Sequence, residues 1–382
     1  MLSWATIFSI YSILTMSLNL EVGYTGMTNF GKVAFYGIGA FAASSIGIWS
    51  FLAAFKLNYP LYGLDTIIAL GKLNAVNPAL NIAVFMLSLV VAFAVGGLFG
   101  YLITYPTLRV GPAFLGITVL SFGELMRIFL RHFEPTGGAY GLMGLPHPFA
   151  WVTDSVYKNL LFVISSLILV IVVYIFSQRL VNSPYGRVMK CIREDEIAAL
   201  CLGKNVIRWK AQVLFIASGF SGVAGALLVF YTGFVSPDLF VPSVTFDVWA
   251  MVILGGMANN RGALLGAAVI TLLDRATAIL NFMIPWFPID PNYIRWMFTG
   301  ILIIAVLMFR PSGLLPEKRL ETPAWETVGL GKKRQGLRER VRALASFLIT
   351  KFLSLRRWGK VLASFLTKMV VGIIDWFRAG GR

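Results

Sequence analysis

Long stretches without a single charge dominate the first three hundred positions of the chain. No Asp, Glu, Lys or Arg lies between Lys32 and Lys56, Lys72 and Arg109, Lys158 and Arg179, or Lys210 and Asp238, and Met1 to Leu20 is uncharged as well. An α-helix needs about 20 apolar residues to cross the hydrocarbon of a bilayer, so each run predicts a membrane span. The pattern places spans near 3–20, 33–55, 80–105, 112–130, 159–178 and 211–232, a short apolar piece near 276–289 and a last span near 293–309. The stretch 246–273 differs, because Asp247, Gly255-Gly256, Asn259-Asn260-Arg261 and Asp274 divide it. It reads as two apolar pieces of about 18 Å each at 1.5 Å per residue. Neither piece alone would cross a bilayer. They are expected either as two half-helices with a polar joint inside the membrane or as one kinked span.

Composition agrees with lipid as the solvent. The 382 residues are 58% hydrophobic and 13% charged, with a mean hydropathy of +0.78, whereas soluble domains carry about 25% charged residues. The N-terminal run has no Lys or Arg ahead of it and no small-residue cleavage motif before Glu21, so it reads as a retained first helix and not a signal peptide. Cys191 and Cys201 lack CxxC or Cys/His spacing, which suggests neither a disulfide nor a metal site.

Charge sets the expected orientation. The net charge is +16, and residues 317–382 hold 15 Lys/Arg against 5 Asp/Glu, while the loop 179–210 holds seven Lys/Arg. The positive-inside bias puts both segments in the cytoplasm and, counting back five helices, the N-terminus outside. In the tail, Leu344, Phe347, Leu348, Phe352 and Leu355 recur at helical spacing among Lys351, Arg356, Arg357 and Lys360. That is an amphipathic basic pattern suited to anionic membrane lipid, which explains the positive charge without nucleic acid. The fold class expected is an all-α polytopic membrane helix bundle of about eight to ten transmembrane segments, one of them interrupted, with a basic amphipathic C-terminal tail. The domain limits expected are 1–316 for the membrane part and 317–382 for the tail.

The loop 179–210 opens on Ser183-Pro184 and includes Gly203, a start signal and a stop signal for a short helix. Glu196, Ala198, Ala199 and Gly203 give an acidic residue, two small residues and a glycine, the chemistry of a helix that docks closely into a groove. This pattern resembles the coupling loop with which ABC importer permeases grip their ATPase subunits. The resemblance extends to SLNLEVGYTGMTNFGKVAFYGIGAFAA (17–43), VGPAFLGITVLSFGELMRIFLR (110–131), YGRVMKCIREDEIAALCLGKNV (185–206), GFVSPDLFVPSVTFDVWAMVILGGMANNRGALLGAA (233–268) and MFRPSGLLPEKR (308–319). Together these resemble the LivM-type branched-chain amino acid permeases over residues 1–320. The resemblance implies a second, LivH-type permease, two ABC ATPase subunits that hydrolyse the ATP, and an extracytoplasmic substrate-binding protein, with no cofactor of the chain's own. It implies ATPase coupling by Arg193, Glu194, Asp195, Glu196, Ala198, Ala199 and Gly203.

Glu124 and Arg127 stand i, i+3 on a predicted span, where charge is rare and reads either as a pair facing the bundle interior or as contact with a zwitterionic substrate. With Asn259 and Asn260 at the interrupted joint they are the candidates for the translocation path. Gly26 to Lys32 has the spacing of a phosphate loop, but Val33 stands where Ser or Thr would hold Mg²⁺ and no strand precedes it, so it reads as a chance match. His132 and His147 form no HExxH motif or His/Cys cluster, which argues against a membrane-embedded enzyme. Permeases of the same family for urea, short amides or sugars stay open as alternatives. A secondary transporter or channel would share the hydrophobicity but would need no docking loop.

Overall fold

The computed structural model describes residues 2–57, 59–61, 63–73, 77–108, 112–283 and 291–317. Its compact unit runs from Met1 to Glu317; the tail expected as an amphipathic helix lies outside the described residues. The unit is helical throughout: α1 (Leu2–Thr25), α2 (Lys32–Ala54), α3 (Leu64–Leu73), α4 (Pro78–Thr107), α5 (Pro112–His132), α6 (Ser155–Asn182), α7 (Pro184–Glu194), α8 (Glu196–Cys201), α9 (Val206–Thr232), α10 (Pro242–Gly255), α11 (Asn260–Met283) and α12 (Pro291–Phe309). A two-residue antiparallel ribbon, β1 (Leu142–Met143) with β2 (Phe234–Val235), joins the loops at the end remote from α7 and α8.

Seven of the described helices are long and apolar enough to cross a membrane: α1, α2, α4, α6, α9, α10 with the turn before it, and α11. Two expected spans fall outside that set. α5 forms where expected but carries Glu124, Arg127 and Arg131, and the apolar part of α12 is confined to Arg295–Phe309. The short apolar piece near 276–289 is not a separate element, since α11 continues through Met283 and residues 284–290 lie outside the described set.

The expectation of two half-helices at 246–273 is corrected. The chain breaks after Gly255, but α11 is 24 residues long, about 36 Å at 1.5 Å per residue, and is long enough to span by itself. α10 and α11 are antiparallel neighbours, and the joint between them sits at the end of the bundle that carries α7 and α8. Asp274 misleads the reading because its charge is met by Arg295 Nη1 at 2.9 Å, from a helix the sequence does not place beside it. The same guanidinium reaches Asp247 at 3.4 Å and so ties α10, α11 and α12.

The core is built around α9 and α1, whose most apolar windows are 83% and 78% buried. α9 packs against α4, α2 and α1. The approach is close because small residues face each other: a Cβ on Gly39 would meet the Gly222 backbone, one on Gly222 would meet the Ala92 carbonyl, and one on Gly225 would meet the Tyr36 carbonyl. In lipid, where apolar burial drives helix association little, such backbone proximity supplies the van der Waals contact. α4 and α6 turn Met86, Val90, Ile168 and Ile171 outward. On a soluble protein that would be an aggregation hazard; on a multi-pass membrane protein such a surface suits lipid or a neighbouring membrane subunit.

Candidate functional site

The loop between α6 and α9 folds into two short helices for local reasons. Ser183 Oγ accepts from the Tyr185 N–H and Pro184 occupies the first turn, which starts α7. Asp195 ends α7 and caps α8, its Oδ1 accepting from the N–H groups of Ile197 (2.8 Å) and Ala198 (3.2 Å). The C-terminal end of α8 closes with Gly203 at φ 75°, the Gly203 N–H bonded to Leu200 O and the Lys204 N–H to Ala199 O. These two bonds form a Schellman cap, which requires a left-handed residue where Gly203 stands.

The side chains sort into an inner and an outer face. Ala199 is fully buried and packs with Ile192 and Val206, so it holds α8 to the bundle and does not face a partner. Glu196 is spent on Lys210 of α9. Arg193 turns inward, donating from Nη1 to the Gly23 carbonyl at 2.7 Å and from Nη2 to Glu194 at 2.8 Å. Burial alone would lower its pKa, but Glu194 and Glu317 outweigh that effect and raise it above the ordinary arginine value. What α8 exposes is Ile197 (72%), Leu200 (56%) and Leu202 (70%), with Ala198 and Cys201 beside them. The sequence reading chose the small and charged residues of this loop and passed over these three apolar ones, although their spacing on and just after a six-residue helix in a charged loop was the available signal.

Gly203 has open space where a Cβ would project, so the cap and not steric crowding explains the glycine. A β-branched residue there is strained by about 1–2 kcal/mol. Gly203→Val is therefore expected to loosen α8 and cut ATP-dependent uptake several-fold in reconstituted vesicles, whereas Gly203→Asn, which tolerates the left-handed region, should keep most of it. Equal uptake by both variants would separate the cap from transport.

Glu124 and Arg127 sit together on α5 at the opposite end of the bundle. Arg127 Nε and Nη2 both donate to Glu124 Oε2, at 3.0 and 2.8 Å. Asp238, from the 3-10 turn Pro237–Leu239, approaches Arg127 at 3.5 Å and Arg131 at 3.7 Å. Arg127 also lines a cleft with Val33, Ala34, Gly37, Leu130 and Phe240. Its cavity volume of ≈ 10 Å³ holds about one water, so an amino acid does not fit in this conformation.

Asn259 and Asn260 are placed elsewhere, at the α10–α11 joint, and their amides bond to protein. Asn259 Nδ2 donates to the carbonyls of Leu315 and Pro316, both at 3.2 Å. Asn260 accepts from Asn19 Nδ2 at 3.1 Å and donates to Gln178 at 3.3 Å, while Asn19 Oδ1 accepts from the Ala258 N–H. These four candidates thus form two groups at opposite ends and not one constellation.

One buried constellation is not predicted from the sequence. Lys32 Nζ meets Glu21 Oε1 at 2.7 Å with the two side chains 1% and 0% exposed. Glu21 Oε2 also accepts from Asn29 Nδ2 at 3.0 Å, and the Asn29 carbonyl accepts from Trp249 Nε1 at 2.9 Å. Phe30 stacks on the same Trp249 at 5.1 Å. The segment that mimics a phosphate loop therefore has its lysine engaged by an internal carboxylate, and its turn is fastened to α10.

A family model described as the permease component of the branched-chain amino acid transport system matches residues 1–307. The chain belongs to this family. It is 31% identical over 328 residues to the probable branched-chain amino acid transport permease protein LivM of Methanocaldococcus jannaschii, covering 83% of this chain and 93% of that protein. It is 30% identical over 339 residues to the high-affinity permease protein LivM of Escherichia coli, covering 82% and 70%. The permease protein BraD of Pseudomonas aeruginosa is 26% identical over 332 residues, covering 83% and 94%. No solved structure matches the chain. As a branched-chain amino acid permease component the chain is a multi-pass membrane protein of an ABC transport system and is not itself catalytic. Membership implies partner ATPases and a binding protein.

Proposed function

We propose that this chain passes aliphatic, branched-chain amino acids across the cell membrane, paired with a LivH-type permease and driven by two ATPase subunits. The observation that carries the reading is the match over residues 1–307 to the permease family, taken with the apolar face of α8 that the fold leaves uncovered. In this reading the α7–α8 loop and the basic tail lie in the cytoplasm. The ATPases dock on Ile197, Leu200 and Leu202, and ATP is hydrolysed there, without a cofactor on this chain. An extracytoplasmic binding protein delivers substrate to the end that carries Asp238 and the β1–β2 ribbon. Closure of the ATPase pair moves α8, and the bundle alternates between outward- and inward-open states.

Glu124 and Arg127 suit a zwitterion because one carboxylate and one guanidinium stand within 3 Å of each other beside a cleft. When the cleft widens, the guanidinium can pass from Glu124 to a substrate carboxylate while Glu124 takes the ammonium. The test is uptake of labelled leucine, isoleucine and valine into proteoliposomes that hold all subunits, with urea and ribose as comparisons. ATP-dependent uptake of the aliphatic amino acids is expected, and urea or ribose uptake in its place would refute the substrate. Arg127→Leu is expected to lower that uptake about tenfold while ATP hydrolysis persists; unchanged uptake would remove Arg127 from the path.

A further inference from the structure

The segment that follows α12 does more than end the membrane unit. Residues 312–317 fold back over the α10–α11 joint. The Leu314 N–H donates to Leu254 O and the Leu315 N–H to Gly255 O, both at 2.9 Å. Those carbonyls belong to the last turn of α10, which has no intrahelical donors for them. Gly256 (φ 110°) and Gly313 (φ 77°) face each other, and a Cβ on Gly313 would lie 2.5 Å from Gly256 Cα. Asn259 clasps the same strand of chain through Leu315 O and Pro316 O. Arg310 Nη1 holds the turn closed on Leu314 O at 3.1 Å. Main chain, side chain and backbone proximity thus fix 312–316 to the joint.

The next residue leaves the joint and reaches α7. Glu317 Oε1 meets Lys190 Nζ and Oε2 meets Arg193 Nη1, each at 2.9 Å, with the Glu317 side chain 24% exposed. One carboxylate therefore takes two cations from one face of α7. Lys190 Nζ also lies 5.7 Å above the Tyr24 ring, and Arg193 Nη1 holds the Gly23 carbonyl. Behind the joint, Asn19 toward the C-terminal end of α1 bonds both Ala258 and Asn260.

We infer that Glu317 is a positioning residue for transport: it ties α7 to the α10–α11 joint, so that movement of the ATPase-docking loop is passed to α10, α11 and α1. The inference rests on the reading of α7–α8 as the docking loop. It differs from a docking role, since Glu317 touches α7 on its inner face and leaves Ile197, Leu200 and Leu202 free. Arg193 has Glu194 and Gly23 in addition, so removing Glu317 severs the direct link to the joint and leaves α7 only the indirect one through α1 and Asn19.

The experiment compares Glu317→Ala and Glu317→Asp in the full assembly, reading ATPase co-purification, ATP hydrolysis and leucine uptake from one preparation. Glu317→Ala is expected to retain the ATPases and at least half of the hydrolysis while uptake per ATP falls tenfold or more. Glu317→Asp, which keeps the charge, should regain a substantial part of that ratio. Wild-type uptake per ATP in Glu317→Ala would overturn the inference. So would loss of the ATPases together with uptake, because Glu317 would then serve docking or folding. Maleimide labelling of the exposed Cys201, in a Cys191→Ser background, tests the docking premise separately: Cys201 left equally reactive when ATPases are bound would refute the premise and not the tie.

Discussion

Lys32→Ala should lower the thermal midpoint of the purified protein by about 10 °C, the shift that a loss of 3–5 kcal/mol produces in a domain of this size. The cause is not the worth of the ion pair itself. Replacing both charges of a buried pair together is often close to neutral, whereas removing one partner strands the other in a medium that solvates it poorly. Glu21 is fully enclosed and would keep only Asn29 as a donor. A double variant, Glu21→Gln with Lys32→Met, leaves an acceptor for Asn29 and no lone charge, and is expected to recover more than half of the loss. Scanning fluorimetry in detergent decides it. If the single variant melts with the wild type, or the double variant melts below the single one, the enclosed pair does not hold the turn between α1 and α2.

The second large effect belongs to α8. Two adjacent anchors at the centre of an interface each contribute about 2 kcal/mol or more, some thirtyfold in affinity apiece. Ile197→Asp combined with Leu200→Asp should abolish co-purification of the ATPases and ATP-driven uptake, yet leave the thermal midpoint unchanged because neither side chain packs inside the protein. ATPases that remain bound to this variant would move the docking surface elsewhere.

The fold was legible wherever a helix carries a long run without charge. Charge-free runs located α1, α2, α4, α6 and α9 because lipid leaves no other solution for an unpaired backbone. The reading failed where a charge is neutralised by tertiary structure. Asp274 looked like the end of a half-helix, and only the arrival of Arg295 across the bundle makes it compatible with a continuous α11. Glu21 and Lys32 looked like an ordinary joint between spans, since the chain leaves the helix between them, where helical spacing does not apply, and their enclosure depends on α10. The α7–α8 loop was located by its charge and its caps, but its outward face was not, because which side of α8 points outward is set by Ala199 meeting Ile192 and Val206. Asn259 and Asn260 were noticed as odd polar residues; that Asn259 holds the chain after α12, while Asn260 bonds Asn19 and Gln178, is a long-range fact with no local trace.

The contact among Gly39, Gly222 and Ala92 bears on how such a machine can move. Helices separated by a layer of side chains can slide, since rotamers adjust as one surface shears over the other. Where main chain touches main chain there is no such layer. α2, α4 and α9 should therefore travel as one block and serve as a stator, leaving α1, α10 and α11, which the tie through Glu317 reaches, as the arm that swings against it.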